Sequence, residues 1–285
     1  MATAVKAPPP APADTPLGQL QMLCDPGTFR PLRSGVSSLR LGERATPGDG
    51  VAAGAGEVDG RPVFCYAEDP AVLGGSLGEV HADTIVRTLR MAGDAGAPVV
   101  GFVRSGGARL QEGHAALAGY GRIFRASVEL SRKVPQISIL SGVSAGGGAY
   151  SPALTDYVVM TEDSRMFLTG PKVVAEALGE EISMEALGGP KVHGRNGVAD
   201  LVAPDAAGAV AQTRRLLGLL PQRIGARPHP HLVVDPAGEN PGLVVPDEQR
   251  KVYDIREVAD AILDGGSTLE LSPRWAPNMV TALAR

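Results

Sequence analysis

Two glycine loops, each at the end of a short apolar run, constrain this chain more than any other feature. The first is Ser105-Gly106-Gly107-Ala108-Arg109, which follows APVVGFV at 97–103. The second is Gly142 to Gly148, which follows VPQISIL at 134–140 and opens a helix. Short apolar runs bounded by turn signals are buried strands. The stretch His114 to Arg132 between them has a helical pattern, so the three segments predict a βαβ unit with parallel strands and a right-handed crossover. Both loops then sit at the carboxyl edge of one sheet. Glycine there lets backbone N–H groups approach a ligand with no side chain in the way. A helix start adds unpaired N–H donors and the positive end of a dipole. Two such loops side by side can hold a developing oxyanion between their donors; ordinary tight turns between strand and helix are the structural alternative.

The remaining chain supports an α/β unit. The 37 glycines concentrate between Gly74 and Gly197, inside apolar segments, whereas the 24 prolines crowd the start (Pro8, Pro9, Pro10, Pro12) and the stretch Pro221 to Pro246. Residues 1–15 are too rich in Ala and Pro to bury a core and are expected to form a disordered tail; residues 16–285 are expected to form one domain. Thr15 to Leu23 predicts a short helix, stopped by Asp25-Pro26-Gly27. Val51 to Val58 and Pro62 to Glu68 predict a hairpin across Asp59-Gly60. Glu79 to Met91, Ala206 to Leu219 and Asp254 to Leu263 predict helices, and Tyr157 to Met160 and Arg165 to Leu168 predict strands. A connection as long as Pro221 to Pro246 is expected to be functional or covered by a partner. The last stretch, TLELSPRWAPNMVTALAR, is apolar-rich and uncapped, which predicts unsatisfied structure at that end.

Composition excludes several function classes. A net charge of −4, a pI near 5.8 and 4% aromatic residues supply neither the basic stripe nor the stacking platforms of a nucleic-acid surface. No apolar run approaches the ~18 residues of a membrane span, and the start lacks an apolar signal core, so a cytoplasmic location is expected. Cys24 and Cys65 lie far apart and outside any CxxC pattern, which predicts reduced structural thiols and no zinc ribbon. His229-Pro230-His231 has no third ligand nearby, and no metal is expected. No titratable residue stands out by spacing as an acid or base; Glu112 and the pair Glu180-Glu181 are expected to be surface or packing charges.

One pattern competes with the oxyanion reading. Gly142-Val143-Ser144-Ala145-Gly146 is a GxSxG sequence between a strand and a helix, the setting of a hydrolase nucleophile elbow. His193, His229 and His231 are available as bases, and none has a distinguishing setting. A serine acyl-thioester hydrolase using Ser144 is therefore an open alternative.

LGGSLGEVHADTI (73–85), SGGARLQEG (105–113), SAGGGAYSPALTDYV (144–158) and FLTGPKVV (167–174) resemble the carboxyltransferase (β) subunits of biotin-dependent acyl-CoA carboxylases. GEEISMEALGGPKVHGRNGVADLV (179–202) and YDIREVADAILDGG (253–266) extend the likeness over nearly the whole chain. The resemblance implies a crotonase-like fold, a ββα superhelix, and in particular the N-terminal half of a subunit that usually carries two such domains. It implies transfer of a carboxyl group from carboxybiotin, borne by a separate biotinylated protein, to the α-carbon of a coenzyme A thioester. It places the matching donor pair at Gly146 and Gly147, with Gly106 and Gly107 as the second loop's contribution. It assigns Gly74, Gly75, Ser76, Ala108, Arg109 and Gly148 to acyl-CoA binding, with Arg109 expected to brace its loop. A β-carbon at Gly147 is expected to block the approach to its N–H. The implied partners are a C-terminal-half subunit, a biotin carboxylase and a biotin carrier protein, in a hetero-oligomer with multiple copies. A malonate-decarboxylase β subunit, built like the N-terminal half, is the related alternative. Ser144 stands where the family accepts serine or cysteine and needs no nucleophilic role.

Overall fold

Alternation of apolar side chains along the strands decides the layers of the molecule. The computed structural model describes residues 12–238, 240–248 and 250–285. Strands β1 (Arg30–Leu32), β2 (Val51–Val58) and β3 (Arg61–Glu68) run antiparallel. Onto β3 are added, in parallel, β4 (Val99–Val103), β5 (Gln136–Leu140), β7 (Tyr157–Thr161) and β9 (Leu201–Ala203), giving one seven-stranded sheet. A separate short parallel pair, β6 (Val143–Ala145) and β8 (Arg165–Phe167), leads into the second glycine loop.

Successive strand residues point to opposite faces, so each strand feeds two cores. Phe64, Tyr66 and Val99 pack against helices α2 (Glu79–Ala95) and α3 (His114–Leu130), through Ile85, Leu89, Ile123 and Leu130. Cys65, Ala67, Val100, Phe102, Ile137 and Ile139 face the other way. They pack against α1 (Pro16–Leu23) and α8 (Ala206–Leu219), through Leu20, Leu23, Val210 and Leu216. Between these long helices lie the shorter α4 (Gly147–Ala153), α5 (Pro171–Leu178), α6 (Met184–Gly188) and α7 (Pro190–His193). The sheet with helices on both faces carries every parallel strand end, and hence both glycine loops, to one edge.

The hairpin at Asp59-Gly60 forms in register from Val51 opposite Glu68 to Val58 opposite Arg61. The helix predicted at Ala206 to Leu219 is observed with those bounds. Of the residues 1–15 expected to form a tail, 1–11 lie outside the described residues; in the rest, the Thr15 N–H donates to the Pro12 carbonyl at 3.0 Å, and its hydroxyl caps α1 by accepting the Gly18 N–H. In the last stretch β10 (Leu269–Leu271) pairs with β11 (Thr281–Leu283) and the Arg285 carbonyl accepts the Asp264 N–H at 2.8 Å, while the apolar side chains of Trp275 and Met279 stay exposed. The segment from Pro221 to Pro246 contains one short helix, α9 (Pro241–Val244), and leaves Leu232 and Val233 almost fully exposed. One further helix, α10 (Ile255–Asp260), follows it. Cys24 and Cys65, distant in sequence, meet in the core with their sulfurs 4.0 Å apart, both as free thiols.

Candidate active site

The two glycine loops are stitched together. The Ala145 N–H donates to the Ser105 carbonyl at 2.8 Å, and a β-carbon on Gly146 would lie 4.0 Å from the Gly107 Cα. Gly146 sits at φ 57°, ψ −124°, a conformation that costs little only without a β-carbon. That single residue joins β6 to α4.

The hydrogen bonds sort the predicted residues into builders and free donors. The Gly146 N–H is taken by the Phe167 carbonyl at 3.1 Å, and the Gly106 N–H by the Gly74 carbonyl at 3.0 Å. The Gly107 N–H donates to Ser105 Oγ at 3.3 Å. Of the four predicted donors, only Gly147 keeps its N–H without an acceptor among the described residues. Gly148 and Ala108 share that freedom. Gly147 and Gly148 open α4, where the first amides have no intrahelical partner. Ala108 is free because its neighbours Gly107 and Arg109 pair with Leu77 through their carbonyl and N–H, at 2.9 Å each, and alternate amides of an extended segment face opposite ways.

Gly74, Gly75 and Ser76, expected to bind acyl-CoA, lie in the segment that backs the first loop. A β-carbon on Gly75 would overlap the Arg104 carbonyl. The Ser76 carbonyl accepts from Arg109 Nη2 at 2.9 Å, and the Ser76 hydroxyl donates to the Leu73 carbonyl. Gly75 and Ser76 are thereby occupied as support, while Gly74 stays exposed beside them. Arg109 supports the same region from within. Its side chain is fully buried, with Nη1 2.6 Å from Asp49 and 2.9 Å from Glu112.

This buried triad has a structural purpose that sequence spacing concealed. Helix α2 starts at Gly78, which offers no side-chain cap. Glu112 Oε2 accepts the Glu79 N–H at 2.7 Å, and Asp49 Oδ2 accepts the His81 N–H at 2.9 Å. Two carboxylates thus sit on the positive end of the α2 dipole, and Arg109 neutralises one of their charges. Burial pushes the Asp49 carboxyl up despite Arg109 beside it. Burial also raises Glu112, but hydrogen bonds from the Glu79 N–H, Arg109 and Ser38 outweigh it and hold that carboxyl below its ordinary value. Glu112 is therefore a buried brace, the packing rather than the surface charge of the two expected.

Behind the first loop lies a second buried cluster that the sequence did not announce. Glu68 Oε2 accepts the Arg104 N–H at 2.8 Å, at the root of the loop. Its other oxygen stands 3.7 Å from His81 Nε2, too far for a hydrogen bond, and neither ring nitrogen of His81 has a partner among the described residues. Burial pushes Glu68 up to about 8. Burial, then the Arg109 charge, pushes His81 down to about 3. Both groups are mainly neutral near pH 7, so the pair is not an ion pair there.

Ser144 is fully buried and donates its hydroxyl to the Val103 carbonyl at 3.1 Å. It lies within β6, one residue short of the turn at Gly146. No histidine is among its hydrogen-bond partners; His193 places Nε2 2.7 Å from the Met166 carbonyl instead. A nucleophile needs a base within hydrogen-bond reach, and among the described residues this buried serine has none. Among the described residues, no three His, Cys, Asp or Glu side chains are grouped to hold a metal ion, and no helix is long and apolar enough to cross a membrane.

Comparison with known proteins agrees with this geometry. The carboxyl transferase domain family matches residues 11–285, and the chain belongs to that family. It is 44% identical over 248 residues to the methylmalonyl-CoA decarboxylase subunit alpha of Veillonella parvula, covering 85% of this chain and 49% of that one. It is 42% identical over 280 residues to the propionyl-CoA carboxylase carboxyltransferase subunit of Haloferax mediterranei, covering 94% and 54%. The transcarboxylase 12S structure with methylmalonyl-coenzyme A and methylmalonic acid bound superposes with a TM-score of 0.91 at 39% identity, covering 95% of this chain and 54% of that one. The fold is thus the crotonase-like fold of carboxyltransferase domains, and the chain spans about half the length of the relatives it matches. A malonate decarboxylase hetero-tetramer with malonate gives a weaker likeness, with a TM-score of 0.68 at 28% identity over 75% of this chain and 84% of that one.

Proposed function

We propose that this chain is the acyl-CoA half of a biotin-dependent carboxyltransferase, acting with a separate chain that supplies the other half of the site. One observation carries the reading. Two loops that meet at the sheet edge hold three unengaged backbone donors, at Ala108, Gly147 and Gly148, and none of the loop residues is a base. Carboxybiotin on a carrier protein supplies the carboxyl group and the base that takes the α-proton. This chain's part is to hold the thioester oxygen as it becomes an enolate oxyanion. Backbone donors fixed in advance suit that task, because they stabilise charge only as it develops. Losing one such donor typically costs roughly 10²–10³ in rate. The names of the relatives favour a short-chain acyl-CoA, propionyl- or methylmalonyl-CoA, and the half-length match favours a C-terminal-half subunit as the partner.

The test is reconstitution. The purified chain alone, given propionyl-CoA and a carboxybiotinylated carrier, is expected to transfer no carboxyl group. Adding a C-terminal-half subunit is expected to restore transfer and form a stable hetero-oligomer, burying more than the ~1,600 Å² of a standard interface. Robust turnover by the isolated chain, or none with the second half bound, overturns the reading.

A further inference from the structure

We propose that Tyr120 is a positioning residue for the carboxyl transfer: acting through Ser105, it sets the spacing between the two glycine loops and so the aim of their amide donors. The inference rests on the function proposed above and adds a side chain to a site otherwise made of backbone.

Tyr120 projects from α3, buried, and touches both loops. Its hydroxyl lies 3.0 Å from Ser105 Oγ in the first. Its ring lies under the second, where a β-carbon on Gly147 would come within 2.6–2.7 Å of three ring carbons. This corrects the expected reason for glycine at 147, since a β-carbon there would collide with Tyr120 rather than shield the amide. The direction of the hydroxyl pair follows from proton count. Ser105 has one proton, and it goes to the Gly75 carbonyl at 2.9 Å, so Tyr120 is the donor and Ser105 Oγ the acceptor. The same oxygen takes the Gly107 N–H at 3.3 Å, one residue before the free amide of Ala108. Burial, and then the nearby Glu68 charge, push the Tyr120 hydroxyl far above its ordinary value, so it remains a donor throughout the working pH range. Helix α3 grips α4 a second time through an aromatic run. Tyr120 meets Phe124 with ring centroids 5.7 Å apart, and Phe124 meets Tyr150 of α4 edge-on at 6.0 Å. One helix face therefore bears on the donors of both loops.

Loss of the Tyr120 hydroxyl leaves Ser105 short of one partner and frees the first loop to drift relative to the second. Misplaced donors cost rate rather than ground-state binding. Tyr120→Phe, which keeps the ring under Gly147, is expected to lower kcat of the reconstituted enzyme about tenfold with KM for the acyl-CoA within about twofold. Ser105→Ala is expected to cost about 100-fold, and the double variant no more than Ser105→Ala alone, because both act through one oxygen. In the isolated chain, Gly107 amide exchange should quicken about tenfold in both single variants. Wild-type kcat in Tyr120→Phe, a loss confined to KM, or additive losses in the double variant overturns the positioning role while leaving the proposed function standing. If the wild-type pair transfers no carboxyl group, the function falls, and unchanged Gly107 exchange then overturns the Tyr120 link as well.

Discussion

The two glycine loops meet at one sheet edge, yet they are held by opposite means. The loop at 105–109 is braced from behind by buried side chains, with Arg109 locked in ion pairs with Asp49 and Glu112 and the Glu68 carboxyl accepting the Arg104 N–H. The loop at 142–148 is held by backbone pairing with β8 and by the absence of side chains, with Tyr120 and Ser105 filling the space that β-carbons on Gly147 and Gly148 would need. The first loop owes its shape to side chains scattered over more than 60 positions, the second to backbone pairing and to glycines that leave room for its neighbours. The first should therefore fail through uncompensated buried charge and the second through crowding.

The largest expected effect comes from the brace. Arg109→Met leaves Asp49 and Glu112 buried without their cation, and breaking such a cluster costs about 3–5 kcal/mol. Urea unfolding should register that loss; a change below ~1 kcal/mol would show that the two loops are not held differently.

Next in size is the pH response of the cluster behind the first loop. Glu68 faces His81 of α2, the Arg104 N–H, Tyr66 and the hydroxyl of Tyr120, with Arg109 beyond His81. Its carboxyl rises from 4.5 to about 8 on folding, so its contribution is full below 4.5 and lost as pH rises through 8. His81 falls from 6.5 to about 3, so its contribution is present above 6.5 and lost as pH falls through 3. The two slopes oppose each other between 4.5 and 6.5, which leaves Glu68 to weaken the fold from pH 6.5 to 8. Glu68→Gln is expected to abolish that decline, on the order of a few kcal/mol by pH 8, in denaturant titrations across the range. An identical slope in wild type and variant would remove Glu68 from the account.

Crowding at the second loop ranks third. Gly147→Ala drives a methyl group into the Tyr120 ring and should cost roughly 1–3 kcal/mol, with carboxyl transfer reduced further than stability alone explains. A variant as stable and active as wild type would mean that this loop has slack. Smallest is Ser144→Ala, which removes one hydrogen bond to the Val103 carbonyl and about 1 kcal/mol. Carboxyl transfer in the assembled enzyme should stay within about tenfold, since no step uses the hydroxyl. Wild-type protein should resist a serine-directed fluorophosphonate; stoichiometric labelling of Ser144 with a dead alanine variant would restore the hydrolase alternative.

Periodicity and turn chemistry were enough to read the strand–helix alternation, the Asp59-Gly60 hairpin, the helix starting at Ala206 and the placing of both glycine loops at strand ends. These depend on residues near one another in the chain, where backbone preference and apolar spacing act directly. The same holds for Gly147 as a free donor, because a helix start leaves its amide unpaired wherever the helix packs. Other features depended on contacts between distant segments. Gly106, Gly107 and Gly146 spend their amides on Gly74, Ser105 and Phe167, so among the described residues the two loops' free donors are Ala108, Gly147 and Gly148. Asp49, Glu68, His81, Glu112 and Tyr120 carry no mark in their own neighbourhoods, and the carboxylates that let Arg109 brace its loop come from distant Asp49 as well as nearby Glu112. A sequence shows where glycine is required; which amide remains free and which charge is neutralised depend on what the fold packs against them, because hydrogen bonds and buried charges are satisfied in space and not along the chain.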